Sequence, residues 1–575
     1  MAKSTKWSRR ASGMRVTGAS AAAYLTALLL LGVAGCGSDD AGTGGAGAAI
    51  PAGGSGGQAG SPGGAGGSGG TGGGWDPRFD AFVAQLQADL AASQAYGVSA
   101  AVMEGGVVTF AGAFGSKDDN GVVPLTPATL MQIGSTTKQM TATAALRKVE
   151  AGLVSLDDTV EAALPQLDFA HDPTWDDQIL LRHLLSHQGA IADSIPWGAA
   201  ATDSLLASYT YGTFASQSYL MNPPGVFWNY SNPNFILAGL ITEELDTRAW
   251  PDIMRQDVFA PLGMTRTFLR KTEVEADGDY ALSYGLGKDD LVSGEAGPVA
   301  MTDMPDPAWA RPAGLVWTTP SQMMSWAKFI MHGNPAVLSD QLRGEITTEQ
   351  VDTLYQEGTM HYGFGMFVER GYLTHDGTWY PMTVWEHGGN TLSFTNILYM
   401  LPERDFALAI CTSAYETDFS RSVDVALTTL VDLPAPGTAP HYVVDPAEFD
   451  HHVATYSDPW NVGDVIVTRQ GNALFVSMPR LDQYQIPYDP ALTAVSSTIF
   501  MATIQGAPTD LTFIPIAAGG DSQYIRNRSF VASRTPPVGP TAASYPAAPP
   551  SREQLLRRLE AARRAPSPWL RQTAH

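Results

Sequence analysis

A serine and a lysine three positions apart stand at the start of an Ala-rich stretch, QIGSTTKQMTATAAL, which runs from Gln132 to Leu146. This spacing places Ser135 and Lys138 one helical turn apart, close enough to share a proton. A serine hydroxyl is a poor nucleophile until a neighbouring group takes its proton. A lysine can take it only where burial or nearby cations disfavour its charged form. The pair therefore indicates a nucleophile with its base, although an ordinary helix start with an exposed lysine has the same spacing.

The Ser-x-x-Lys spacing occurs a second time, at Ser325 and Lys328, so other groups must distinguish the two pairs. A Tyr-x-Asn motif occurs once, as Tyr230-Ser231-Asn232, after the first pair and before the second. A tyrosine there can relay protons, and an asparagine amide can bind a substrate carbonyl. A polar loop with a packed tyrosine is the alternative interpretation.

A His-x-Gly motif occurs four times, and its surroundings favour His387, which lies between two strand-like runs in MTVWEHGGNTLSFTNILYM. A hydrogen-bonding or cationic group at a sheet edge, followed by small residues, lets a substrate backbone approach the strand. The other three histidines have different surroundings. We interpret His187 as a structural residue that ends a helical run, His361 as the start of a strand and His375 as a loop residue.

Length, charge and cysteine content restrict the class of protein. The chain has 575 residues, of which 44% are hydrophobic, so we expect more than one folded domain with a large core. The formal charge of −23 argues against a nucleic-acid partner and fits a soluble body in an external, charged setting. Of the two cysteines, Cys411 lies in the run ALAICTS and is predicted to be a buried strand residue rather than a reactive thiol.

The N-terminal segment has the pattern of an export signal. A basic start precedes the apolar run AAAYLTALLLLGVAG, which is short for a membrane span and ends at Cys36. Its ending, VAGC, resembles a bacterial lipoprotein box, so we predict a lipoprotein signal peptide over residues 1–36 with lipidation at Cys36; a plain secretory signal is the alternative. Residues 37–74 are Gly-rich and predict a flexible tether with a reach of roughly 30 Å. We therefore expect an exported, membrane-anchored lipoprotein on the periplasmic or cell-surface face.

The order of elements in the body predicts an α+β fold. Strand-like runs meet at the hairpin signal Gly105-Gly106, a long helical stretch follows, strands return after about residue 360, and a helix closes the unit near 433. We expect one antiparallel sheet flanked by helices, with an inserted helical subdomain and a cleft between them, over residues 75–435. Short alternating runs over residues 441–535 predict a small all-β barrel or sandwich.

Residues 536–575 form a Pro/Ala-rich tail with basic side chains, in contrast to the acidic body. We interpret it as a solvated, partly helical tail; contact with anionic lipid or wall polymers, or folding back onto the protein, are alternatives. The arginines concerned are Arg552, Arg557, Arg558, Arg563 and Arg564.

The ordered set Ser-Thr-Thr-Lys, Tyr-Ser-Asn and His-Gly-Gly resembles the serine β-lactamase and penicillin-recognising hydrolase superfamily. The branch that contains class C β-lactamases, D-Ala-D-Ala carboxypeptidases, D-aminopeptidases and related esterases is the most similar. Flanking stretches such as TPATLMQIGSTTKQMTA, LRHLLSH and PPGVFWNYSNPNF agree, over residues 75–435. The resemblance implies a β-lactamase/transpeptidase-like fold, and a second domain like 441–535 resembles the β-barrels attached to D-aminopeptidase-like members.

The resemblance also implies roles for individual residues. Ser135 would be the acylated nucleophile, Lys138 its proton acceptor and Tyr230 a general base or proton shuttle. Asn232 would orient the substrate's acyl amide. The remaining implied substrate-binding residues belong to one strand: His387, Gly389 and Asn390, with the backbone N–H groups of Ser135 and Asn390 forming the oxyanion hole. No metal or cofactor is implied.

Two departures from the family pattern affect the expected activity. The lysine of the usual Lys-Thr-Gly motif is replaced by His387, as in the peptidase and esterase branches, and a histidine is mostly neutral near neutral pH. The family's His-Thr-Ser-Gly run appears as HQGA at His187. We expect a serine hydrolase that acts through an acyl-enzyme on D-amino-acid peptides, wall peptides or small esters. A non-hydrolytic penicillin-binding or sensor lipoprotein and a true β-lactamase are the alternatives, and the sequence leaves the oligomeric state open.

Overall fold

A computed structural model of the chain describes residues 74–171, 175–193, 195–196, 201–355, 358–440, 442–534 and 549–564. All of these residues belong to one compact unit, Ala65–His575. The predicted signal peptide, Cys36 and the tether up to residue 73 lie outside the described residues. None of the helices in the described part of the chain is long and apolar enough to cross a membrane.

The strands of the first part of the chain run in a mainly antiparallel arrangement. Their bounds are β1 Gly97–Glu104, β2 Val107–Gly115, β3 Met131–Gln132, β4 Ser283–Gly285, β5 Gly297–Val299, β6 Trp317–Thr318, β7 Val351–Asp352, β8 Met360–Tyr362, β9 Phe367–Glu369, β10 Tyr372–Leu373, β11 Trp379–Tyr380, β12 Val384–Asn390, β13 Thr395–Leu401 and β14 Phe406–Thr412. Eight of them form the main sheet, in the order β2-β1-β14-β13-β12-β9-β8-β7. The sheet therefore combines strands from both ends of this part of the chain, as predicted.

The hairpin between β1 and β2 shows how local sequence sets this sheet. Gly105 and Gly106 both have positive φ angles, 57° and 72°, which glycine adopts without steric cost. Side chains of β1 then alternate between two cores. Val98 and Val102 pack with the helices on one face, whereas Ala101 and Met103 join the larger core on the other. Both faces of β1 are buried, which explains its nearly continuous apolar sequence.

Helices cover both faces of the sheet and fill the region between β3 and β7. Their bounds are α1 Asp80–Ala92, α2 Thr137–Glu150, α3 Val160–Ala163, α4 Leu181–Leu185, α5 Leu205–Tyr209, α6 Ala215–Gln217, α7 Asn232–Glu244, α8 Trp250–Ile253, α9 Lys271–Asp277, α10 Asp290–Ser293, α11 Arg311–Gly314, α12 Pro320–His332, α13 Asp340–Thr347 and α14 Ser420–Leu430. The inserted helical region and the closing helix confirm the predicted β-lactamase/transpeptidase-like α+β fold. Cys411 lies in β14 and is fully buried, as predicted.

The C-terminal all-β region is a closed antiparallel barrel. Its strands are β15 Ala454–Asp458, β16 Gly463–Gln470, β17 Ala473–Ser477, β18 Tyr488–Ala494, β19 Ile499–Ile504, β20 Ala507–Pro515, β21 Ser522–Asn527 and β22 Phe530–Arg534, with a short helix, α15 Pro479–Gln483, between β17 and β18. Pairing of β15 with β22 closes the barrel. Alternate residues such as Val465 and Val467 fill its core, as the alternating sequence predicts.

The tail helix α16, Arg552–Arg564, packs against this barrel. Leu555 and Leu559 are buried in the barrel's apolar cluster, and the Arg558 guanidinium donates a 2.8 Å hydrogen bond to the carbonyl of Trp460. The prediction of a solvated tail is therefore wrong for this segment, since spacing of four places both leucines on one helix face. The helix folds back onto its own protein, the alternative considered above.

A buried arginine joins the barrel to the first part of the chain. The Arg526 side chain, on β21, donates 2.8 Å hydrogen bonds to the carbonyls of Trp228 and Thr353. Its guanidinium carbon lies 4.5 Å from the ring centre of Tyr355. Nearby, the rings of Tyr219 and Trp460 stack at 4.3 Å. The barrel is therefore packed against the loops that precede α7 and follow β7.

Candidate active site

Ser135 lies in a one-turn 3-10 helix, Gly134–Thr136, directly before α2. Gly134 has a φ of 52°, and a Cβ there would come 2.6 Å from the amide nitrogen of Asn390, so glycine is needed for both conformation and space. The next residue fixes the turn to the sheet. The Thr136 hydroxyl lies 2.9 Å from the carbonyl oxygen of His387 and 2.7 Å from the side-chain oxygen of Asn396, and its single proton is shared between these two acceptors. The nucleophile turn is thus anchored against β12 and β13.

Lys138, in the first turn of α2, is completely buried. Its side-chain nitrogen donates to the Asn232 side-chain oxygen at 2.8 Å and to the carbonyl of Ala313 at 2.7 Å, and it lies 2.9 Å from the Ser135 hydroxyl oxygen. In the neutral amine the two N–H groups donate to these two carbonyl oxygens, so the lone pair accepts from the Ser135 hydroxyl. Burial holds the pKa of Lys138 well below its usual value of 10.5. Because a neutral amine can accept a proton, this lysine has the environment that a base beside a serine needs.

Tyr230, which lies just before α7, and Asn232, at the start of α7, both contact Lys138. The ring centre of Tyr230 lies 4.9 Å from the Lys138 nitrogen. Asn232 occupies the first position of α7, and its backbone N–H and side-chain NH₂ both donate to one oxygen of Asp193, at 2.9 and 3.0 Å. The remaining amide oxygen therefore faces Lys138. The Tyr-x-Asn motif and the first Ser-x-x-Lys pair converge on one point, as the sequence predicts.

His387, on β12, is only 2% exposed. Its Nδ1 lies 2.5 Å from the carbonyl of Gly388, and its Nε2 lies 3.0 Å from the Tyr362 hydroxyl. A carbonyl can only accept, so Nδ1 carries the proton, and in the neutral ring Nε2 accepts from the phenol. His387 lies beside the site, 6.4 Å from Tyr230 between ring centres. A contact with a substrate carboxylate stays a prediction, and it requires the Tyr362 hydrogen bond to exchange.

The backbone of Gly389 and Asn390 packs against the nucleophile turn, Gly134–Thr136. A Cβ on Gly389 would lie 1.9 Å from the Ile133 carbonyl oxygen and 2.9 Å from the amide nitrogen of Ser135. The amides of Ser135 and Asn390 therefore belong to two backbones in direct contact, the arrangement that the predicted oxyanion hole needs. Among the described strands, β9 pairs with β12 only from Val384 to Glu386. The pairing with β9 therefore ends directly before His387.

This architecture matches a known family. The family model described as Beta-lactamase matches residues 79–432, more than half of the chain. The chain belongs to the beta-lactamase family. This confirms the resemblance drawn from the three sequence motifs.

Three proteins that are similar to this beta-lactamase-family chain have low sequence identity to it. Protein flp of Staphylococcus aureus is 21% identical over 351 residues, which cover 60% of this chain and 65% of that protein, so the match spans less than two thirds of the relative's length. The crystal structure of SurE has 22% identity and a TM-score of 0.59, covering 80% of this chain and 99% of that one. The D-amino acid amidase from Ochrobactrum anthropi SV3 has 24% identity and a TM-score of 0.51, covering 61% and 98%. At these identities the two solved structures show the shared fold alone.

The other candidates from the sequence lie elsewhere or have supporting positions. Lys328 is exposed and Ser325 is half-buried on α12, so the second pair lacks the burial that activates a lysine. His187 is buried against Tyr230, with 4.2 Å between ring centres. His361 lies in β8, and His375 lies in a loop with Nδ1 3.6 Å from Asp424. The sequence interpretations of the latter two histidines agree with these positions.

Two further residues at the site belong to none of the sequence motifs. Asp193 orients Asn232, and Arg528 reaches Asp193 from the barrel hairpin, 335 residues later in the chain. Neither belongs to a motif with catalytic spacing. The HQGA stretch would have drawn attention to the loop that carries Asp193, because it departs from the family pattern close to the cleft. Arg528 could be found only from the packing of the barrel against the family domain, which is the part of the chain that the family model matches, residues 79–432.

A cleft of about 2100 Å³ contains these groups. Its lining includes Ser135, Tyr230, Asn232, His387 and Asn390, together with Arg528 from the barrel. Within the described residues, no group of three or more His, Cys, Asp or Glu side chains is placed to hold a metal ion. That the reaction needs no metal or cofactor stays a prediction. The volume accommodates a small molecule or a peptide.

Proposed function

We propose that this protein is a serine hydrolase that forms an acyl-enzyme at Ser135 and hydrolyses D-amino-acid amides or peptides. The observation that carries the proposal is the buried Lys138 amine, which lies 2.9 Å from the Ser135 hydroxyl, donates to the Asn232 side-chain oxygen and has its pKa lowered by burial. In the acylation step, the Ser135 oxygen bonds to the substrate carbonyl carbon while Lys138 takes the hydroxyl proton. The amides of Ser135 and Asn390 stabilise the oxyanion, and the leaving amine departs with a proton returned through Lys138 or Tyr230.

Two considerations favour D-amino-acid substrates over β-lactams. The first is that His387 replaces the lysine of the Lys-Thr-Gly motif, and a histidine, unlike a lysine, is mostly neutral near neutral pH, so it offers a β-lactam carboxylate less positive charge. The second is the likeness in fold to a D-amino acid amidase.

The nucleophile is tested by intact-mass measurement after treatment with a fluorophosphonate or a labelled penicillin. Wild type and Ser325→Ala should gain one adduct, and Ser135→Ala should gain none. An adduct on Ser135→Ala would contradict the assignment.

Substrate class is tested by steady-state turnover with matched compounds. D-alanine p-nitroanilide and a D-Ala-D-Ala peptide should be hydrolysed faster than their L counterparts, whereas benzylpenicillin should be turned over poorly. Turnover of p-nitrophenyl esters without any D-amide hydrolysis would select an esterase instead. Stable acylation by penicillin with no turnover of any compound would select a penicillin-binding or sensor protein.

We also propose that the protein is exported and anchored through a lipid on Cys36. The basic start, the apolar run and VAGC support this, followed by a Gly-rich tether. Expression with a radiolabelled fatty acid should label wild type but not Cys36→Ser, and the variant should leave the membrane fraction. Equal partitioning of the two proteins would contradict the anchor.

A further inference from the structure

The hairpin that joins β21 to β22 of the barrel enters the cleft of the family domain. Its turn is held rigidly, because the Asn527 side chain accepts from the amide of Ser529 at 2.9 Å and donates to the carbonyl of Asp510 at 3.0 Å. The Asn229 side chain donates to the carbonyl of Asn527 at 3.3 Å, across the contact between the two parts of the molecule. The residue between Asn527 and Ser529 is therefore presented to the cleft by a fixed backbone.

That residue is Arg528, and its guanidinium contacts two groups of the candidate active site. Two of its nitrogens donate to the same oxygen of Asp193, at 2.9 and 2.6 Å. Its central carbon lies 4.5 Å from the ring centre of Tyr230. Both members of the ion pair are largely buried, with 17% of the Arg528 side chain and 12% of the Asp193 side chain exposed. Partly buried charge pairs with this geometry restrain both partners.

The second oxygen of Asp193 determines which way the Asn232 amide faces. It accepts from the Asn232 backbone N–H at 2.9 Å and from the side-chain NH₂ at 3.0 Å. In the flipped amide, the oxygen would face the Asp193 carboxylate and the NH₂ would face the Lys138 amine. The side-chain hydrogen bonds of Asn232 to Asp193 and to Lys138 would then both be lost. Hydrogen bonds thus run from Arg528 through Asp193 and Asn232 to Lys138, and from Lys138 to the nucleophile.

We propose that Arg528 and Asp193 are positioning residues, through which the barrel holds the Asn232 amide and Lys138 in the geometry that activates Ser135. This inference rests on the proposed acyl transfer at Ser135. It makes the barrel a necessary part of the active site.

The same two charges act on Lys138 in opposite directions. Besides burial, the carboxylate of Asp193 favours the charged lysine and the cation of Arg528 disfavours it. The lysine nitrogen and the Arg528 carbon each lie within 5 Å of the Tyr230 ring centre, so they are less than about 10 Å apart. At that distance one charge shifts a titration by about one pH unit. Among the described residues, this region also contains the titratable groups His187, Tyr230, Tyr362, Glu386 and His387, and all of the variants below retain them.

The test measures the rate of fluorophosphonate labelling of Ser135 against pH, by intact mass, in the full-length protein. Arg528→Gln should move the acid limb of the profile upward by about one pH unit and lower the plateau about tenfold. Asp193→Asn should move the limb downward by a similar amount. The double variant should have its limb close to that of wild type, because it removes one charge of each sign.

A matched control removes an ion pair elsewhere in the barrel. Arg469 lies 2.9 Å from Asp450 and is outside the cleft lining, so Arg469→Gln should leave both limb and plateau unchanged. Circular dichroism and thermal unfolding establish that each variant is folded. If Arg528→Gln fails to fold, the isosteric Asp193→Asn decides the question by its downward shift.

The outcomes separate this inference from the proposed function. Opposite limb shifts for the two single variants support the inference. Wild-type limb and plateau in a folded Arg528→Gln or Asp193→Asn protein would overturn it and reduce the pair to a contact between domains. Absence of labelling at Ser135 in wild type would instead overturn the proposed function, and this inference with it.

Discussion

Replacement of Gly389 by alanine tests the contact between β12 and the nucleophile turn. In the wild type these backbones touch with no side chain between them. The Cβ of alanine would lie 1.9 Å from the Ile133 carbonyl oxygen and 2.9 Å from the Ser135 amide nitrogen. Because both obstacles are backbone atoms, no side-chain rotation can relieve the clash.

The size of the effect follows from these distances. Ordinary contact with a Cβ begins near 3.4 Å, so the strand and the turn must separate by about 1.5 Å. A displacement of about 1 Å from productive geometry can cost about 100-fold in rate. Overpacking of this kind destabilises a protein by about 1–3 kcal/mol. We therefore expect Gly389→Ala to fold with a reduced melting temperature and to label Ser135 about 100-fold more slowly.

The assay is fluorophosphonate labelling followed by intact mass, with thermal unfolding on the same samples. Gly344→Ala is the control, since nothing lies within 4 Å of a Cβ at this position on α13. The free energy of unfolding of Gly344→Ala should rise by about 0.5–1 kcal/mol, because alanine has the higher helix propensity, and Ser135 in this variant should be labelled at the wild-type rate. If Gly389→Ala also labels within threefold of wild type, the close approach of β12 to the nucleophile is wrong, and the predicted oxyanion hole with it.

Four further predictions follow from burial and hydrogen bonding. Lys138→Arg should reduce labelling of Ser135 about 10³-fold at pH 8, since arginine stays protonated; more than a tenth of wild-type labelling would contradict a lysine base. Burial raises the pKa of Glu369 well above 4.5, with Glu386 adding to the effect, so the folded state binds more protons than the unfolded chain and loses stability as pH rises above 4.5. The stability of Glu369→Gln relative to wild type should therefore grow with pH, by up to about 1.4 kcal/mol per pH unit, in urea unfolding between pH 5 and 8; a constant difference would refute this. Arg526→Ala leaves two buried carbonyls without their donor and should lower the free energy of unfolding by about 3 kcal/mol, whereas a loss below about 1 kcal/mol would show that the barrel contact contributes little. Burial raises the pKa of the Cys411 thiol to about 12, so iodoacetamide should modify it only after unfolding in a variant without the other cysteine, and modification of the folded protein would contradict its burial.

The fold was predictable because its signals are local. Gly105-Gly106 specifies a hairpin turn, and alternation such as Val465 and Val467 specifies a barrel wall whichever domain lies nearby. The tail was mispredicted because the apolar spacing of Leu555 and Leu559 is short and lies among arginines. Its burial depends on a barrel surface that no local pattern reveals.

The part of the candidate site that depends on residue spacing along the chain could be predicted from the sequence. Ser135 and Lys138 lie one turn apart on any helix, so their hydrogen bond follows from the chain itself. The order of the motifs favours this pair over Ser325 and Lys328, and the structure agrees, because Lys138 is buried whereas Lys328 is exposed. The orientation of Asn232 was not predictable, because it depends on Asp193 and on an arginine from another part of the fold.

The sequence by itself determined the elements, the order of the motifs and the residue types that perform the chemistry, since these follow from local spacing and side-chain identity. Only the tertiary structure decided which charges surround the lysine, because burial and electrostatic interaction depend on distances between atoms far apart in the chain. Ser135 and its base can be identified from the sequence of a single helical turn. The hydrogen bonds from Arg528 to Lys138 exist only where the barrel packs against the family domain.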